Sequence, residues 1–279
     1  MDLYSIRRKN NAATKGSIFP LISQLAPDEG ASDGSISSQF CIFKGVLWGS
    51  RVIVSDLDHI KDIYAGGFFG KGDSSGSEPR FDAPSFPRTM EMIHSRGLGE
   101  NAHDSGEAVK TARESFREEA ERLLLSPEES YFLAFGLGVL SVRTESGQHL
   151  SLDELFTRFE SNDSLFPIRY AAYHHFRQKG WIVRSGMTMG ADYLLYKDGP
   201  PFTHASFIVS VQTDQNDPEP STPALTERDI DSLTRISGSV SKSLLLCYVL
   251  RPPGLNLKDP QSLKAMKICE VITNRWDCK

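Results

Sequence analysis

The chain has 279 residues and a mass of 31.0 kDa, enough for one large domain or two modest ones. Its formal net charge of −5 argues against a general polyanion binder, although residues 161–279 hold 14 Lys and Arg against 12 Asp and Glu, so the acidic surplus lies in the first 160 residues. The four cysteines (Cys41, Cys247, Cys269, Cys278) form no C-x-x-C pair, which argues against a zinc site of that type, and no apolar run approaches the ~20 residues that span a bilayer.

Residues 1–37 are rich in Ser, Asn, Asp and Gly and lack an apolar signal-peptide core; they read as a flexible segment with FPLISQLA as a short ordered piece. CIFKGVLWGSRVIVSD (41–56) alternates and is β-branched, so it predicts a small hairpin broken by Gly45 and Gly49. Asp56 is placed to cap a short helix with Ile60, Ile63 and Tyr64 on one side, ended by Gly66-Gly67. Residues 71–104 are Gly-, Ser- and Pro-rich and predict a loop or disordered insertion. Residues 107–125 read as a charged helix. Ser126-Pro127-Glu128-Glu129 then opens an apolar, buried helix through YFLAFGLGVL. Ser151 with Glu154 is a second capping box, starting LDELFTRFE.

The second half is more regular. Asp163 or Ser164 can cap a helix, PIRYAAYHHFRQKG, that puts Ile168, Ala172 and Phe176 on one face and stops at Gly180. Strands WIVRSG, ADYLLY and HASFIVSVQ follow, then a polar loop (213–223), a helix over 226–240, and strands SLLLCYVL and ICEVIT. Helix, three strands, helix, strand, strand makes a compact α/β or α+β domain. Cys247, inside LLLCYVL, reads as a reduced core residue and, with the missing signal peptide, predicts a soluble intracellular protein.

Three residues of this half stand where a sheet presents functional groups. Tyr196 ends one predicted strand, His204 begins the next, and Lys242 sits where the helix gives way to SLLLCYVL. Strand ends anchor a side chain and leave it reachable. A tyrosine, a histidine and a lysine offer poor ligation to a hard metal, but they can move protons and stabilise an anion.

The stretch RYAAYHHFRQKGWIVRSGMTMGADYLLYKDGPPFTHASFIV resembles the catalytic core of tRNA-splicing endonuclease subunits, in the tRNA-intron endonuclease family. Three further pieces match in order: IVSDLDHIKDIYAGGFFGKG, LSPEESYFLAFGLGVLSV and TRISGSVSKSLLLCYVL. The likeness covers roughly residues 38–70 and 123–279. GPPF-x-HAS after the tyrosine is similar to the eukaryotic subunit that cuts the 5′ splice site. Tyr193 departs from the apolar residue of related chains, and the 71–104 insertion has no counterpart.

The resemblance implies an α/β N-terminal domain (38–160) and a C-terminal catalytic domain (161–279) built on a central mixed sheet flanked by helices. It implies Tyr196 as general base toward the ribose 2′-hydroxyl, His204 as general acid toward the leaving 5′-oxygen, and Lys242 as stabiliser of the transition state. The products would be a 2′,3′-cyclic phosphate and a 5′-hydroxyl, with no metal and no cofactor. Arg235 and Trp276 match the pair that sandwiches a bulge nucleotide, and Arg235, about two helical turns before Lys242, is expected on the same groove. The implied partners are intron-containing pre-tRNA, a second catalytic subunit and two structural subunits, with strand addition at ICEVIT joining domains. Nuclear localisation follows only from pre-tRNA processing, since Arg7-Arg8-Lys9 is too short a basic run.

Physical chemistry fits this division of labour. Histidine, with an ordinary pKa of about 6.5, supplies a proton donor near neutrality, whereas tyrosine, at about 10, needs a nearby cation, a part assigned to Lys242. Taken singly, each residue has an ordinary structural explanation: Tyr196 as a strand-end tyrosine, His204 as a surface group, Lys242 as a charge at a helix end, Arg235 as an exposed helix residue, Trp276 as packing near a chain end. Their joint occurrence in matching frames favours catalysis. Two other readings stay open, a non-catalytic architectural subunit of the same fold and a general RNA-binding module. His174 and His175 point about 100° apart and read as core edge and surface. FFGKG lacks the phosphate-loop frame and reads as a structural turn.

Overall fold

A computed structural model describes residues 42–76, 78–79, 121–213 and 225–273. Alternating residues of FKGVLW bury Phe43, Gly45 and Leu47, making strand β1 (Phe43–Trp48). A Gly49-Ser50 turn returns the chain as β2 (Arg51–Val54), antiparallel in the register Trp48↔Arg51, as the hairpin expectation has it. Gly45 does not break the strand; a Cβ there would overlap Val52 across the sheet.

Asp56 caps α1 (Leu57–Gly67), its Oδ1 accepting from the Asp58 and His59 amides at 3.0 Å, and Ile60, Ile63 and Tyr64 are buried. Phe68 ends the helix in the left-handed region, φ 54°. Strand β3 (Lys71–Gly72) follows where a loop was expected, pairing with β4 (Leu123–Leu125). The predicted helix over 107–125 therefore does not reach Leu125, because LLL is claimed by pairing with β2. Most of the 71–104 insertion, residues 1–41, and the 107–120 part of that helix lie outside the described residues.

The Ser126 capping box opens α2 (Pro127–Tyr131), which continues as one π-helical turn over Phe132–Gly136. The helix stops there rather than running through Leu140: Gly138 adopts φ 67°, and Leu140–Arg143 forms β5, parallel to β1. The first sheet is ordered β3-β4-β2-β1-β5. The second capping box starts α3 (Leu152–Asn162) as expected.

Helix α4 (Phe166–Gln178) begins after Leu165, without a side-chain cap. Asp163 instead holds Arg169 at 2.5 Å and accepts from the Leu165 amide at 3.0 Å. Ile168, Ala172 and Phe176 are buried, with Tyr170 and Tyr173 beside them. Strands β6 (Ile182–Ser185), β7 (Tyr193–Tyr196) and β8 (Phe207–Thr213) come next, then α5 (Glu227–Ser239), β9 (Ser243–Leu250) and β10 (Lys267–Thr273).

The second sheet is ordered β10-β9-β8-β7-β6, with β8 and β9 parallel and the other pairs antiparallel, a mixed sheet as expected. One face (Tyr193, Leu195, Phe207, Val209, Leu245, Cys247) joins the main core with α4. The other (Leu194, Ile208, Leu244, Leu246) packs on Leu233 of α5. Burial drives the Cys247 thiol up to about 12, the state of a packed, unreactive thiol.

Candidate active site

β7 and β8 pair Leu195 with Phe207, and the ladder runs one step further through Ser206 N–H to the Leu195 carbonyl, 2.8 Å. β8 and β9 pair Phe207 with Ser243, and Ser243 N–H donates to the Ser206 carbonyl at 3.2 Å. Tyr196, Ser206 and Lys242 therefore form one row across three adjacent strand ends. Strand spacing of about 4.8 Å sets the Tyr196 and Lys242 backbones roughly 10 Å apart, with His204 two residues, roughly 7 Å, beyond the row. By alternation, Tyr196 shares a face with Leu194, and Lys242 with Leu244, which is the α5 face for both.

Each member is held differently. The half-buried Tyr196 packs against the α5-face cluster and against Tyr64, Phe68 and Ile182. His204 does not lie within β8, which starts at Phe207; it is an exposed residue in the approach to the strand. Its backbone is fixed by buried neighbours, Thr203 and Ala205. The Phe202 and Thr203 amides both donate to the Gly199 carbonyl, at 3.1 and 3.0 Å, closing the preceding turn. Gly199 adopts φ 108°, and a Cβ there would overlap the Phe68 ring, so only glycine fits.

Lys242 is set by the way α5 ends. The Lys242 amide donates to the Ser237 carbonyl (2.9 Å) and the Ser241 amide to Gly238 (3.1 Å), a Schellman pair around Ser241 at φ 54°. A left-handed non-glycine residue costs about 1–2 kcal/mol, borne here one residue before Lys242. The lysine Nζ donates to the Val240 carbonyl at 3.2 Å.

The expected lowering of the Tyr196 phenol by Lys242 is not what the structure shows. Burial dominates and raises its pKa above 10, and the cation that opposes burial is Arg184 of β6. Arg184 was missed in the sequence, although a charged residue directly after the apolar pair Ile182-Val183 in a strand was the available signal.

Arg235 is on the exposed side of α5, two residues and about 200° from buried Leu233. The helix ends at Ser239, so no two-turn helical relation to Lys242 exists. Trp276 lies outside the described residues. His174 is half-buried against Phe132 and Tyr170, and burial lowers its pKa; His175 Nε2 meets Glu270 Oε1 at 2.6 Å. FFGKG is a structural turn, with Phe68 and Gly70 both at positive φ.

Two family models match the chain: the tRNA intron endonuclease N-terminal domain over residues 43–156 and its catalytic C-terminal domain over residues 166–254. A mouse protein named tRNA-splicing endonuclease subunit Sen2 is 39% identical over 160 residues, covering 56% of this chain and 35% of that protein. The subunit of the same name from Saccharomyces cerevisiae is 39% identical over 136 residues, covering 47% of this chain and 32% of the yeast protein. An Arabidopsis thaliana protein, tRNA-splicing endonuclease subunit Sen2-1, is 33% identical over 155 residues, 54% of this chain and 63% of its own length. The chain thus spans about a third of the length of the mouse and yeast relatives.

Proposed function

The chain belongs to the tRNA intron endonuclease family, and from that premise we propose that it is the catalytic subunit of a tRNA-splicing endonuclease that cuts pre-tRNA at the 5′ splice site. The observation that carries this reading is the row of strand ends with Tyr196 and Lys242 on one face and His204 just beyond. Tyr196, as phenolate, takes the proton of the ribose 2′-hydroxyl. The 2′-oxygen attacks phosphorus, the bond to the 5′-oxygen breaks, and His204 donates a proton to that leaving oxygen. The products are a 2′,3′-cyclic phosphate and a 5′-hydroxyl, and charge on the non-bridging oxygens falls to Lys242. The RNA supplies its own nucleophile, so these three groups complete the proton balance without a metal or cofactor.

The raised phenol pKa leaves little phenolate at neutrality, but that phenolate is the stronger base. Arg235, exposed on α5, is free to stack on a base, with Trp276 as its partner. The domains divide at 38–160 and 161–279, after a flexible 1–37. Intron-containing pre-tRNA is the substrate, a second catalytic subunit and two structural subunits are the partners, and the nucleus is the site of action. β10, an edge strand of the second sheet, offers the ladder for strand addition. Among the described residues no helix is long and apolar enough to cross a membrane.

The test is cleavage of an intron-containing pre-tRNA by the assembled complex in EDTA, wild type beside His204→Ala. The reading expects loss of the 5′ cut and, for wild type, a 2′,3′-cyclic phosphate end. Equal cutting by the variant removes His204 from the mechanism, and retained structure without activity in wild type favours an architectural subunit.

A further inference from the structure

The turn that ends α1 belongs to the first sheet's half of the molecule, yet it lies against the candidate active site. Two guanidiniums from the second half close its carbonyl end. Arg177 of α4 donates to the Gly67 carbonyl at 2.9 Å and stacks 4.0 Å over the Phe69 ring. Arg184 of β6 donates through Nη1 to the Phe68 carbonyl and, at 2.6 Å, to the Gly70 carbonyl. The last turn of α1 has no basic residue of its own, so these arginines supply the positive charge that a helix C-terminus favours.

The same turn reaches the catalytic loop. Phe68 packs edge-on to Phe202 at 6.1 Å and to Tyr64 at 5.3 Å, and the Gly199 backbone lies against its ring. Ile182 pairs directly with Tyr196 and Arg184 with Leu194, so Arg184 is the diagonal neighbour of Tyr196 on one sheet face. Phe68 keeps a left-handed backbone, a costly conformation for an aromatic residue, in the place where this contact needs it.

We propose that Arg184 and Phe68 are positioning residues for the cleavage reaction: the α1 turn clamps the 199–202 loop that leads to His204, and holds the Arg184 cation beside Tyr196. The inference rests on the proposed function above. Arg184 opposes the effect of burial on the phenol, and it is itself nearly buried, with 11% of its side chain exposed. Among the described residues, Tyr173 of α4 also feels the Arg184 charge. Glu129 of α2 lies 3.9 Å from Arg184 and partly offsets it; Tyr64 of α1, with Glu78 near it, is pushed by burial to about 12. Lys242, one residue before β9, and His204 lie along the row.

A reaction that needs phenolate together with protonated histidine has a rate plateau and an alkaline fall set by the tyrosine. Removing the cation stabilises the protonated phenol, lowering the plateau and moving the alkaline fall to higher pH. The test is single-turnover cleavage of an intron-containing pre-tRNA by the assembled complex, across the pH range, for wild type, Arg184→Gln and Arg184→Lys. Arg184→Gln is expected to lower the plateau about tenfold and raise the alkaline fall by about one pH unit, at unchanged KM. Arg184→Lys keeps the charge and restores the position of the fall. An alkaline fall at the wild-type pH in Arg184→Gln overturns the proposal, since a merely structural arginine lowers the rate alone. Should Arg184→Gln not assemble, Phe68→Leu carries the test: it leaves the carbonyl contacts of Arg184 in place and is expected to slow cleavage about tenfold at unchanged KM. Cleavage by Phe68→Leu at the wild-type rate overturns the clamp. Tyr196→Phe, run alongside, separates the two claims. If it cuts like wild type, the proposed function falls and the clamp with it; if it is inactive while Arg184→Gln leaves the alkaline fall unmoved, only the clamp falls.

Discussion

Tyr193 and Tyr196 lie three residues apart on β7, and the two ends of that strand are built differently. Tyr193 faces the main core at 7% exposure, and its hydroxyl donates to the Arg169 carbonyl at 3.0 Å. Burial first, then the Glu128 and Asp192 carboxylates, push its phenol well above the ordinary value. Around it Arg169 bonds Asp163 at 2.5 Å and approaches Asp192 at 3.7 Å, while Asp192 accepts from the Val211 amide at 2.8 Å. Tyr196 faces the other side of the sheet, is half-buried, and has the cation Arg184 as its charged neighbour. The same side chain on the same strand is thus a structural anchor at one end and a candidate base at the other. What separates them is the sheet face set by alternation and the hydrogen bond that ties the Tyr193 hydroxyl to the Arg169 carbonyl.

The sharpest way to break this contrast is at the Tyr196 end. His204→Ala is expected to slow 5′-site cleavage by about 10²–10⁴-fold, the usual worth of a positioned proton donor; an unchanged single-turnover rate would contradict it. Lys242→Ala comes next, with a loss of about 10²–10³-fold in kcat measured on the same substrate. The helix end is tied by the Lys242 and Ser241 amides, so thermal unfolding should stay close to wild type.

At the Tyr193 end the effects are smaller and of another kind. Tyr193→Phe removes one part-buried hydrogen bond, about 0.5–1.5 kcal/mol, and should lower the unfolding midpoint while leaving cleavage unaltered. A large loss of cleavage with unchanged stability would erase the distinction between the two tyrosines.

The smallest effect concerns the sheet's far edge. Glu270 of β10 accepts from Lys179 at 2.6 Å and meets His175 at 2.6 Å. Burial pulls its carboxyl upward, but these partners outweigh burial and its pKa lies below the ordinary 4.5. A carboxyl lowered in the folded state adds stability above its unfolded pKa and loses it as pH falls through the folded value. Denaturant titrations from neutral to acid pH should therefore show a shallower decline in Glu270→Gln than in wild type; identical slopes would rule this pair out as a source of acid sensitivity.

Local chemistry made much of this legible in the sequence. Asp56, Ser126 and Ser151 each cap the helix that follows, because a side-chain oxygen takes up an orphan amide within three residues. SLLLCYVL matches β9 residue for residue, an apolar run long enough for a strand buried on both faces. Long-range contacts hid the rest. Leu123–Leu125 followed a charged run that suggested helix, and pairing with β2 and β3, far earlier in the chain, makes it a strand. Asp163 looked like a cap, but Arg169 and the Leu165 amide engage it. The site divides in the same way. Tyr196, His204 and Lys242 were visible through their motifs, whereas Arg184 meets the carbonyls of Phe68 and Gly70 more than a hundred residues away, which no local pattern encodes.

The account turns on His204 delivering a proton to the leaving 5′-oxygen, and a substrate carrying sulfur at that one bridging position tests it most directly. A thiolate leaves without protonation, so a missing proton donor costs little with it. The account predicts that His204→Ala cleaves the 5′-thio pre-tRNA at close to the wild-type rate while remaining defective on the normal substrate. An equal defect on both substrates would contradict it.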